Sequence, residues 1–453
     1  MNKVIVTREI WEKTSNHLLQ DDNEHLAFFL TNTTKTNNGI TFLIRDVILV
    51  PDQDFSPQKL HMELSLDQIL NVINTAKKKK MSLIEIHSHP FTTYQTSFSL
   101  TDLDGFKEFV PYILDSLPGK PYGALVLGQK SIDGMYWESK IAKPLTKIEI
   151  VDENLTILST TSNQKISKID SERFDRQIIA FGKPGQEKIN GMKVAVVGSG
   201  GLGSHIIQQL SYLGVQDFTI IEYDIISKNN TNRLIGATKD DIGKPKTDVS
   251  IRMIKSICGK DAKIRIIEKS LRGDEAINAL KEVDFIFGCV DNDAARQILN
   301  EISKAHMIPF IDSAVGINVE HKKVTEIGGR IVFVRPGTPC LQCINEIDSH
   351  EVSYFFQTEE ERKHNRNHGY VQNYDLPSPS VVFLNGLIAS AAVSEFFAYV
   401  TGFRSPKSYL SYDGFEQKLV ERKIRSDEEC FVCSSIEGAG DKADIGERYE
   451  IKN

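Results

Sequence analysis

The feature that most constrains the fold is a short apolar run that leads directly into a glycine-rich segment. Residues 192–197 are almost entirely apolar, and residues 198–203 then contain four glycines before a helical pattern begins. An apolar run of this length predicts a buried strand, and a strand, a glycine-rich turn and a helix form a βαβ phosphate-binding unit. Glycine lets the backbone approach phosphate, while the helix N-terminus supplies N–H donors. The residues predicted to bind phosphate are Gly198, Gly200, Gly201 and Gly203.

The next apolar run supports a nucleotide site but leaves the type of nucleotide open. Residues 218–221 predict a second strand that ends at Glu222, about twenty residues after the turn, where a carboxylate would hold a ribose. This glycine pattern occurs in dehydrogenases and in other nucleotide-binding proteins. On its own it does not separate an NAD-dependent oxidoreductase from an ATP-dependent enzyme.

Charged and amide side chains further along the chain favour ATP over NAD. Asn230 and Arg233 follow the ribose-binding carboxylate, Lys246 ends a Gly-Lys-Pro-Lys segment, and Asp291 precedes Asn292. Two cations suit a triphosphate, and a carboxylate oxygen is a ligand that Mg²⁺ prefers. An NAD site, which binds only a pyrophosphate, does not need this set, so the pattern predicts an ATP–Mg²⁺ site.

With these residues the chain resembles the ThiF/MoeB/ubiquitin-activating superfamily of adenylating enzymes, over roughly residues 170–433. The resemblance implies a Rossmann-like ATP-binding α/β domain that adenylates the C-terminal glycine of a small protein. Glu222 falls where the family usually has an Asp on the ribose hydroxyls, with Asp224 as a second candidate. Arg176 matches the arginine that reaches the ATP of the partner subunit, which implies a homodimer; a surface ion pair is the alternative. The catalytic residues that this resemblance implies are Arg176, Arg233, Lys246 and Asp291.

Four of the six cysteines form two Cys-x-x-Cys pairs. Each pair presents two thiolates from one knuckle, and two knuckles complete a tetrahedral structural zinc site. The superfamily resemblance implies zinc at these places. Relatives that form a thioester carry a nucleophilic cysteine after the first pair, but residues 345–380 contain none, which favours adenylation followed by release to an external nucleophile. The predicted zinc ligands are Cys340, Cys343, Cys430 and Cys433.

A second metal site is predicted near residue 90. His87 and His89 follow an apolar run that predicts a buried strand over residues 81–86, and Asp102 lies on the first turn of a helix that begins at Ser99. Two neutral imidazoles, a carboxylate and a vacant fourth position are typical of a catalytic zinc that binds water. Taken alone, Ser99 and Asp102 are better explained as a helix capping box.

This stretch resembles the JAMM (JAB or MPN) metalloprotease family, and the resemblance extends over roughly residues 1–145. It implies a cytidine-deaminase-like α/β domain. Residues 23–29 match the family's first helix, which makes Glu24 the general base that takes a proton from water and returns it to the leaving amine. Ser99 would donate a hydrogen bond to the oxyanion. The nine residues between His89 and Ser99 exceed the family's commonest spacing, which predicts a longer loop that reshapes the substrate groove. The metal ligands that this resemblance implies are His87, His89 and Asp102.

Length and charge set the remaining expectations. The chain of 453 residues carries a net charge of −7, which gives no reason to expect a nucleic-acid partner. We expect no membrane-spanning segment and, without a signal peptide, a cytoplasmic location. The predicted organisation is a JAMM domain over residues 1–150, a polar linker over 151–170, an adenylating domain over 171–435 and a flexible tail over 436–453.

Together the two resemblances imply one bifunctional enzyme of a ubiquitin-like protein system. One domain would trim or remove a ubiquitin-like modifier at its C-terminal glycine, and the other would adenylate that glycine. Expected partners are a glycine-ended ubiquitin-like or sulfur-carrier protein, a second copy of the chain and a conjugating enzyme. Three alternatives stay open: sulfur-carrier activation with product release in cofactor or amino-acid biosynthesis, an NAD-dependent oxidoreductase, and a chain in which one domain only docks a partner.

Overall fold

The computed structural model describes residues 2–51, 64–163, 169–367 and 379–449. The chain divides into two compact units. The N-terminal unit comprises Met1–Ile166 and Gly438–Lys442, and the C-terminal unit comprises Ser167–Glu437 and Ala443–Asn453. The division therefore falls inside the predicted linker.

The N-terminal unit is an α/β sheet structure. Its strands are β1 (Lys3–Thr7), β2 (Leu26–Thr36), β3 (Gly39–Leu49), β4 (Ser82–Ser88), β5 (Tyr122–Leu127), β6 (Ile132–Trp137), β7 (Ala142–Pro144), β8 (Lys147–Val151) and β9 (Thr156–Ser159). Its helices are α1 (Arg8–Leu18), α2 (Leu66–Lys79) and α3 (Leu100–Ser116). The strands form one mixed sheet in the order β7-β6-β5-β4-β2-β3-β1-β8-β9.

The strand β4 lies in the interior of this sheet, between β5 and β2, and its side chains alternate between the two faces. Ile84 and Ile86 pack in the apolar cluster that includes α1, whereas Leu83 packs on the other face with α2 and α3. Every residue of β4 is consequently buried, and a strand that is buried on both faces needs the continuous apolar run that its sequence shows. The strand predicted over residues 81–86 is thus confirmed.

The C-terminal unit is a second α/β structure. Its strands are β10 (Lys193–Val197), β11 (Asp217–Ile221), β12 (Lys263–Ile267), β13 (Phe285–Gly288), β14 (Phe310–Glu320), β15 (Lys323–Val334), β16 (Tyr409–Asp413) and β17 (Lys418–Glu421). Its helices are α4 (Asp175–Gly191), α5 (Gly201–Leu213), α6 (Lys246–Cys258), α7 (Asp274–Leu280), α8 (Asp293–His306), α9 (Ser349–Phe356), α10 (Glu359–Asn367), α11 (Val382–Thr401) and α12 (Ile445–Tyr449).

The sheet of the C-terminal unit has the order β12-β11-β10-β13-β14-β15-β16-β17. The first five strands in this order are parallel, and the last three pair antiparallel. The chain proceeds from β10 to β11 and β12 on one side, and then returns to β13 on the other side of β10. This reversal is a topological switch point, and in open α/β sheets the crevice at such a point binds ligands at the carboxyl ends of the strands.

Three sequence-based expectations differ from the structure. Residues 23–29 are not helical, because β2 begins at Leu26; a short apolar run does not distinguish a buried strand from a helix. The predicted linker over 151–170 includes β9, which pairs with β8, and its β-branched Thr156 and Ile157 suit a strand. The predicted flexible tail includes α12, whose Ile445 and Tyr449 are buried in the apolar core of the C-terminal unit.

The helix α11 also differs from expectation, since it is long and apolar enough to cross a membrane by length and composition. However, 67% of the most apolar 18-residue stretch of this helix is buried inside the protein. It packs against α4, α5, β14 and β15, and its buried Glu395 forms an ion pair with Arg404 at 2.6 Å. These contacts are those of a core helix of the C-terminal unit.

Candidate functional sites

His87, His89 and Asp102 come together where β4 ends and α3 begins. One ligand atom from each lies within 4.8 Å of the others. The Nε2 atoms of both histidines are 3.5 Å from the same carboxylate oxygen, Oδ2 of Asp102. Nε2 of His87 is buried and makes no hydrogen bond within the described residues. A buried nitrogen without a hydrogen bond, beside a second imidazole and a carboxylate, suits a divalent metal such as zinc.

Ser99 holds Asp102 in this position through a capping box. The Asp102 N–H donates to Oγ of Ser99 at 3.1 Å, and the Ser99 N–H donates to Oδ2 of Asp102 at 2.6 Å. The capping interpretation and the metal-site interpretation are therefore compatible, because the capping bond fixes the oxygen that faces both imidazoles. The hydroxyl of Ser99 accepts one hydrogen bond in this arrangement and still has its proton to donate.

Glu24 lies in the loop before β2 rather than on a helix. Its Oε1 atom is 3.5 Å from Nε2 of His89, and its side chain is 35% exposed. The neighbouring residue His25 donates its N–H to Oγ of Ser88 at 2.9 Å and accepts the Ser88 N–H at 3.0 Å. The residue between the two histidines therefore fixes the segment that carries Glu24. Sequence reasoning missed Ser88, although a hydroxyl at this position on a buried strand was a usable signal.

The charged groups around the site stabilise the ionised carboxylate of Asp102. Burial alone would raise the pKa of Asp102, but the neighbouring His87 and His89 outweigh it and lower that pKa. Burial alone would lower the pKa of His87, but Asp102 and Glu85 outweigh it and raise that pKa. Burial raises the pKa of Glu85, whose Oε2 accepts a short hydrogen bond from the hydroxyl of Tyr122. A proton on His87 therefore competes with any metal ion.

The predicted phosphate-binding turn lies at the switch point of the C-terminal sheet. Gly198 has a φ of +86°, and a Cβ added there would lie 2.5 Å from the carbonyl oxygen of Cys289, at the end of β13. A Cβ at Gly203 would lie 1.9 Å from the Gly198 oxygen. Neither position can hold a side chain. No side chain caps α5 at Gly200, so the first N–H groups of this helix suit an anion.

Glu222 fixes this turn to the end of β11. Its carboxylate accepts hydrogen bonds at 2.9 Å from the N–H groups of Ser199, Tyr223 and Asp224. A carboxylate offers about four lone-pair sites, so one remains for a ribose hydroxyl. Lys246 is buried and places its Nζ 2.7 Å from Oδ2 of Asp224 and 3.8 Å from Oε2 of Glu222. The structure thus brings together the two ribose candidates and the predicted lysine.

The two predicted arginines have different surroundings. The Cδ atom of Arg233 would be 3.4 Å from a Cβ at Gly201, so its side chain borders the glycine-rich turn. Its Nη1 donates to the carbonyl oxygen of Asn229 at 2.6 Å. The side chain of Arg176 is 94% exposed, and its nearest carboxylate, on Asp175, is 3.9 Å away. Only Arg233 lies beside the turn.

Asn230 and Asn292 both have local structural roles. Asn230 accepts the Ser227 N–H at 3.0 Å, and Asn292 caps α8 by accepting the Ala295 N–H at 2.9 Å. Asp291 precedes this cap, is exposed, and accepts a 3.3 Å hydrogen bond from the Asn292 amide. Asp291 therefore lies just beyond the end of β13 and presents an accessible carboxylate, as a magnesium ligand must.

Asn385 is a residue of this crevice that sequence reasoning missed. It is 1% exposed, and its Nδ2 would lie 2.5 Å from a Cβ at Gly201. The amide donates to Oγ of Ser380 at 3.2 Å. Its position within the largely apolar α11 was the available signal, since a buried amide requires a polar partner.

The four paired cysteines form one cluster. Their Sγ atoms lie within 4.8 Å of one another, with separations of 3.8 Å for Cys340–Cys343, 3.6 Å for Cys340–Cys430 and 3.4 Å for Cys343–Cys433. Tetrahedral zinc with Zn–S bonds of about 2.3 Å requires sulfur separations of about 3.8 Å. The cluster is therefore close to the size of a structural zinc site.

Comparison with known proteins concerns mainly the C-terminal unit. The family model that matches the chain is described as ThiF family and covers residues 174–432. The SAMP-activating enzyme E1 of Haloferax volcanii is 25% identical over 175 residues, which are 38% of this chain and 61% of that protein. The adenylyltransferase and sulfurtransferase MOCS3 of Caenorhabditis briggsae is 28% identical over 181 residues, which are 40% of this chain and 43% of that protein. The chain thus spans less than two thirds of either relative. The molybdopterin-synthase adenylyltransferase of Escherichia coli K12 is 26% identical over 274 residues, which are 59% of this chain and 98% of that protein.

Proposed function

The chain belongs to the ThiF family, and we propose that its C-terminal unit uses ATP to adenylate the C-terminal glycine of a small carrier protein of the ubiquitin-like or sulfur-carrier type. The observation that carries this proposal is the crevice at the switch point, where the glycine-rich turn, Arg233 and the carboxylate-held Lys246 meet. The similar proteins, which are named activating enzymes or adenylyltransferases, support the same reaction class.

In the proposed reaction a carboxylate oxygen of the carrier's terminal glycine attacks the α-phosphorus of ATP. A P–O bond forms to the carrier, the P–O bond to the β-phosphate breaks, and pyrophosphate leaves. The N–H groups at the start of α5 bind phosphate oxygens, while Arg233 and Lys246 stabilise the negative charge that shifts to the leaving group. Asp291 would hold Mg²⁺, which offsets phosphate charge when it is bound. Most of the rate enhancement comes from positioning.

The remaining cysteines support transfer to an external nucleophile. Burial raises the pKa of the Cys258 thiol and raises that of the Cys289 thiol well above its ordinary value. Because the thiolate is the reactive form, neither residue suits a thioester intermediate. The paired cysteines would hold a structural zinc ion instead.

A second copy of the chain is proposed to complete the ATP site. The side chain of Arg176 is almost fully exposed, so it is free to reach a nucleotide outside its own unit. An arginine supplied by a partner stabilises charge in phosphoryl transfer. The proposed assembly is therefore a homodimer in which each Arg176 acts on the other copy's ATP.

The geometry around His87 and His89 favours a second activity, hydrolysis of the peptide or isopeptide bond that follows the carrier's terminal glycine. His87, His89 and Asp102 would hold zinc, which lowers the pKa of water and polarises the scissile carbonyl when it is bound. Glu24 takes a proton from the attacking water and returns it to the leaving amine. The hydroxyl of Ser99 donates a hydrogen bond to the developing oxyanion.

Pyrophosphate exchange into ATP tests the adenylation proposal. We expect exchange that requires a carrier ending in Gly-Gly and that falls by about 100-fold in Arg233→Ala, because one charge-stabilising group is lost. Arg265→Ala is the matched control, since Arg265 is half exposed and pairs with Glu282 at 3.0 Å. Exchange that is absent with every carrier tested, or that is equal in Arg233→Ala, contradicts the proposal.

Cleavage of a carrier fused through its terminal glycine to a peptide tests the hydrolytic proposal. Intact-mass spectrometry should detect loss of the peptide without ATP, and Glu24→Gln should reduce its rate by at least about 100-fold. Glu12→Gln is the matched control, because Glu12 is exposed on α1. If cleavage is absent while exchange is present, the adenylation proposal stands and the sulfur-carrier interpretation, in which the first unit releases a product from the carrier, becomes the one to test.

A further inference from the structure

The loop that joins the second histidine to α3 has a fixed shape. This metal-site loop, residues 90–98, is attached to the turn between β5 and β6. The Gln129 N–H donates to the carbonyl oxygen of Thr92 at 2.8 Å. The hydroxyl of Thr96 lies 2.6 Å from that of Ser131, and the Thr96 N–H donates to the same hydroxyl at 3.1 Å. The extra length of the loop therefore forms a firm wall beside the metal ligands.

This wall presents two exposed aromatic rings. Phe91 is 70% exposed and Tyr94 is 67% exposed. The ring of Phe91 stacks on that of His89, with centroids 5.3 Å apart and an angle of 19° between planes. The ring of Tyr94 instead contacts the ammonium of Lys130 at 5.5 Å. An exposed ring on a fixed backbone loses little conformational entropy when it binds a ligand, and of these two rings Phe91 is the one that borders a metal ligand.

The position of Glu24 identifies which part of a substrate would meet Phe91. Its carboxylate lies 3.5 Å from Nε2 of His89, the imidazole on which Phe91 stacks. A general base that returns its proton to the leaving amine must lie close to that amine. The leaving amine therefore departs on the His89 side of the site, where Phe91 is 70% exposed.

Building on the proposed hydrolytic function, we infer that Phe91 is a specificity-determining residue that receives an apolar side chain from the residue that supplies the leaving amine. An aliphatic or aromatic side chain buries its surface against the ring, whereas an acidic or small polar one gains little from this contact. The inferred substrate class is a bond between a terminal glycine and an amine-bearing residue with an apolar side chain.

A series of fusions tests this inference. Ubiquitin, which ends in Gly-Gly, would be fused to peptides whose first residue is Leu, Phe, Ser or Asp, and kcat/KM would be measured for each. We expect Leu and Phe to exceed Ser and Asp by about tenfold. Phe91→Ser should retain zinc but abolish this preference, because kcat/KM for the Leu and Phe fusions falls to the level of the Ser fusion in the same variant. Phe91→Leu should preserve the preference, and so should Tyr94→Ser, the matched control on the same loop.

Each outcome is decisive. Equal rates for all four fusions, or a preference that persists in Phe91→Ser, overturn the inference while leaving the hydrolytic function intact. A preference lost equally in Tyr94→Ser also overturns it, because the selectivity would then belong to the loop as a whole. Absence of cleavage of every fusion by the zinc-loaded protein refutes the hydrolytic function, and the inference with it.

Discussion

Replacing Glu437 by Gln should destabilise the C-terminal unit by about 3–5 kcal/mol, since it removes the counter-charge of a buried ammonium group. The side chain of Lys304, on α8, is 1% exposed, and that of Glu437 is 12% exposed. The Lys304 Nζ donates to a Glu437 carboxylate oxygen at 2.7 Å and to the carbonyl oxygens of Arg335 and Thr338 at 3.0 and 2.5 Å. The two carbonyls satisfy hydrogen bonds but supply no compensating charge.

Hydrogen exchange of peptides that cover α8 measures this effect within the full chain. A loss of 3 kcal/mol corresponds to exchange about 100-fold faster, at about 1.4 kcal/mol per factor of ten. The double variant Lys304→Met/Glu437→Gln removes both charges and should recover most of the lost protection, because an apolar pair of similar volume often replaces a buried ion pair at little cost. Hydrogen exchange of α8 in Glu437→Gln that stays within twofold of the rate in the unmodified protein would refute this reasoning. So would a double variant whose loss of stability equals the sum of the losses in the two single variants.

Three further predictions concern the sites. Gly198→Ala should weaken ATP binding at least about tenfold in calorimetry and lower stability by about 1–3 kcal/mol, because its φ is +86° and its Cβ would meet the Cys289 oxygen at 2.5 Å. Cys430→Ser should remove one zinc ion per chain in elemental analysis while the histidine site keeps its zinc; loss of both ions would contradict separate sites. Zinc affinity of the histidine site should fall as pH is lowered through the raised pKa of His87. The free energy of unfolding of the zinc-free protein should change with pH in the opposite direction. The stabilisation by protonated His87 is present at low pH and is lost as pH rises through that pKa. Denaturation of the zinc-free protein between about pH 5 and 8 would measure this loss.

Local patterns predicted the features that depend on local structure. The apolar run before the glycine-rich turn and the apolar run before His87 were both predicted to be strands, and both are strands in the structure, although the second continues through His87 to Ser88. The spacing of the cysteine pairs predicted a cluster that the fold indeed assembles. For the two strands the information lies within about ten residues, where periodicity and turn chemistry are informative. Each cysteine pair is equally local, although the two pairs are 90 residues apart in the sequence.

Features that depend on tertiary neighbours were not predictable in this way. The sequence predicts a helix around Glu24, yet Leu26 on β2 pairs with His87 on β4, and these contacts with β4, together with those of Ser88, determine the conformation of the segment. Ser88 and Asn385 act through partners distant in sequence, His25 and the glycine-rich turn. The polar composition of the C-terminal segment predicts a flexible tail. In the structure, however, Glu437 of this segment forms an ion pair with the buried Lys304 of α8.

Intact-mass spectrometry of a Gly-Gly-ended carrier incubated with the protein and ATP–Mg²⁺ detects carrier adenylation itself. We expect the carrier mass to increase by one AMP, with formation of the adduct dependent on ATP, reduced by about 100-fold in Arg233→Ala and unchanged in Arg265→Ala. Hydroxylamine should remove the adduct, as expected for an acyl adenylate. A carrier of unchanged mass in the presence of ATP-bound protein, or an adduct that forms equally well in Arg233→Ala, would contradict the account.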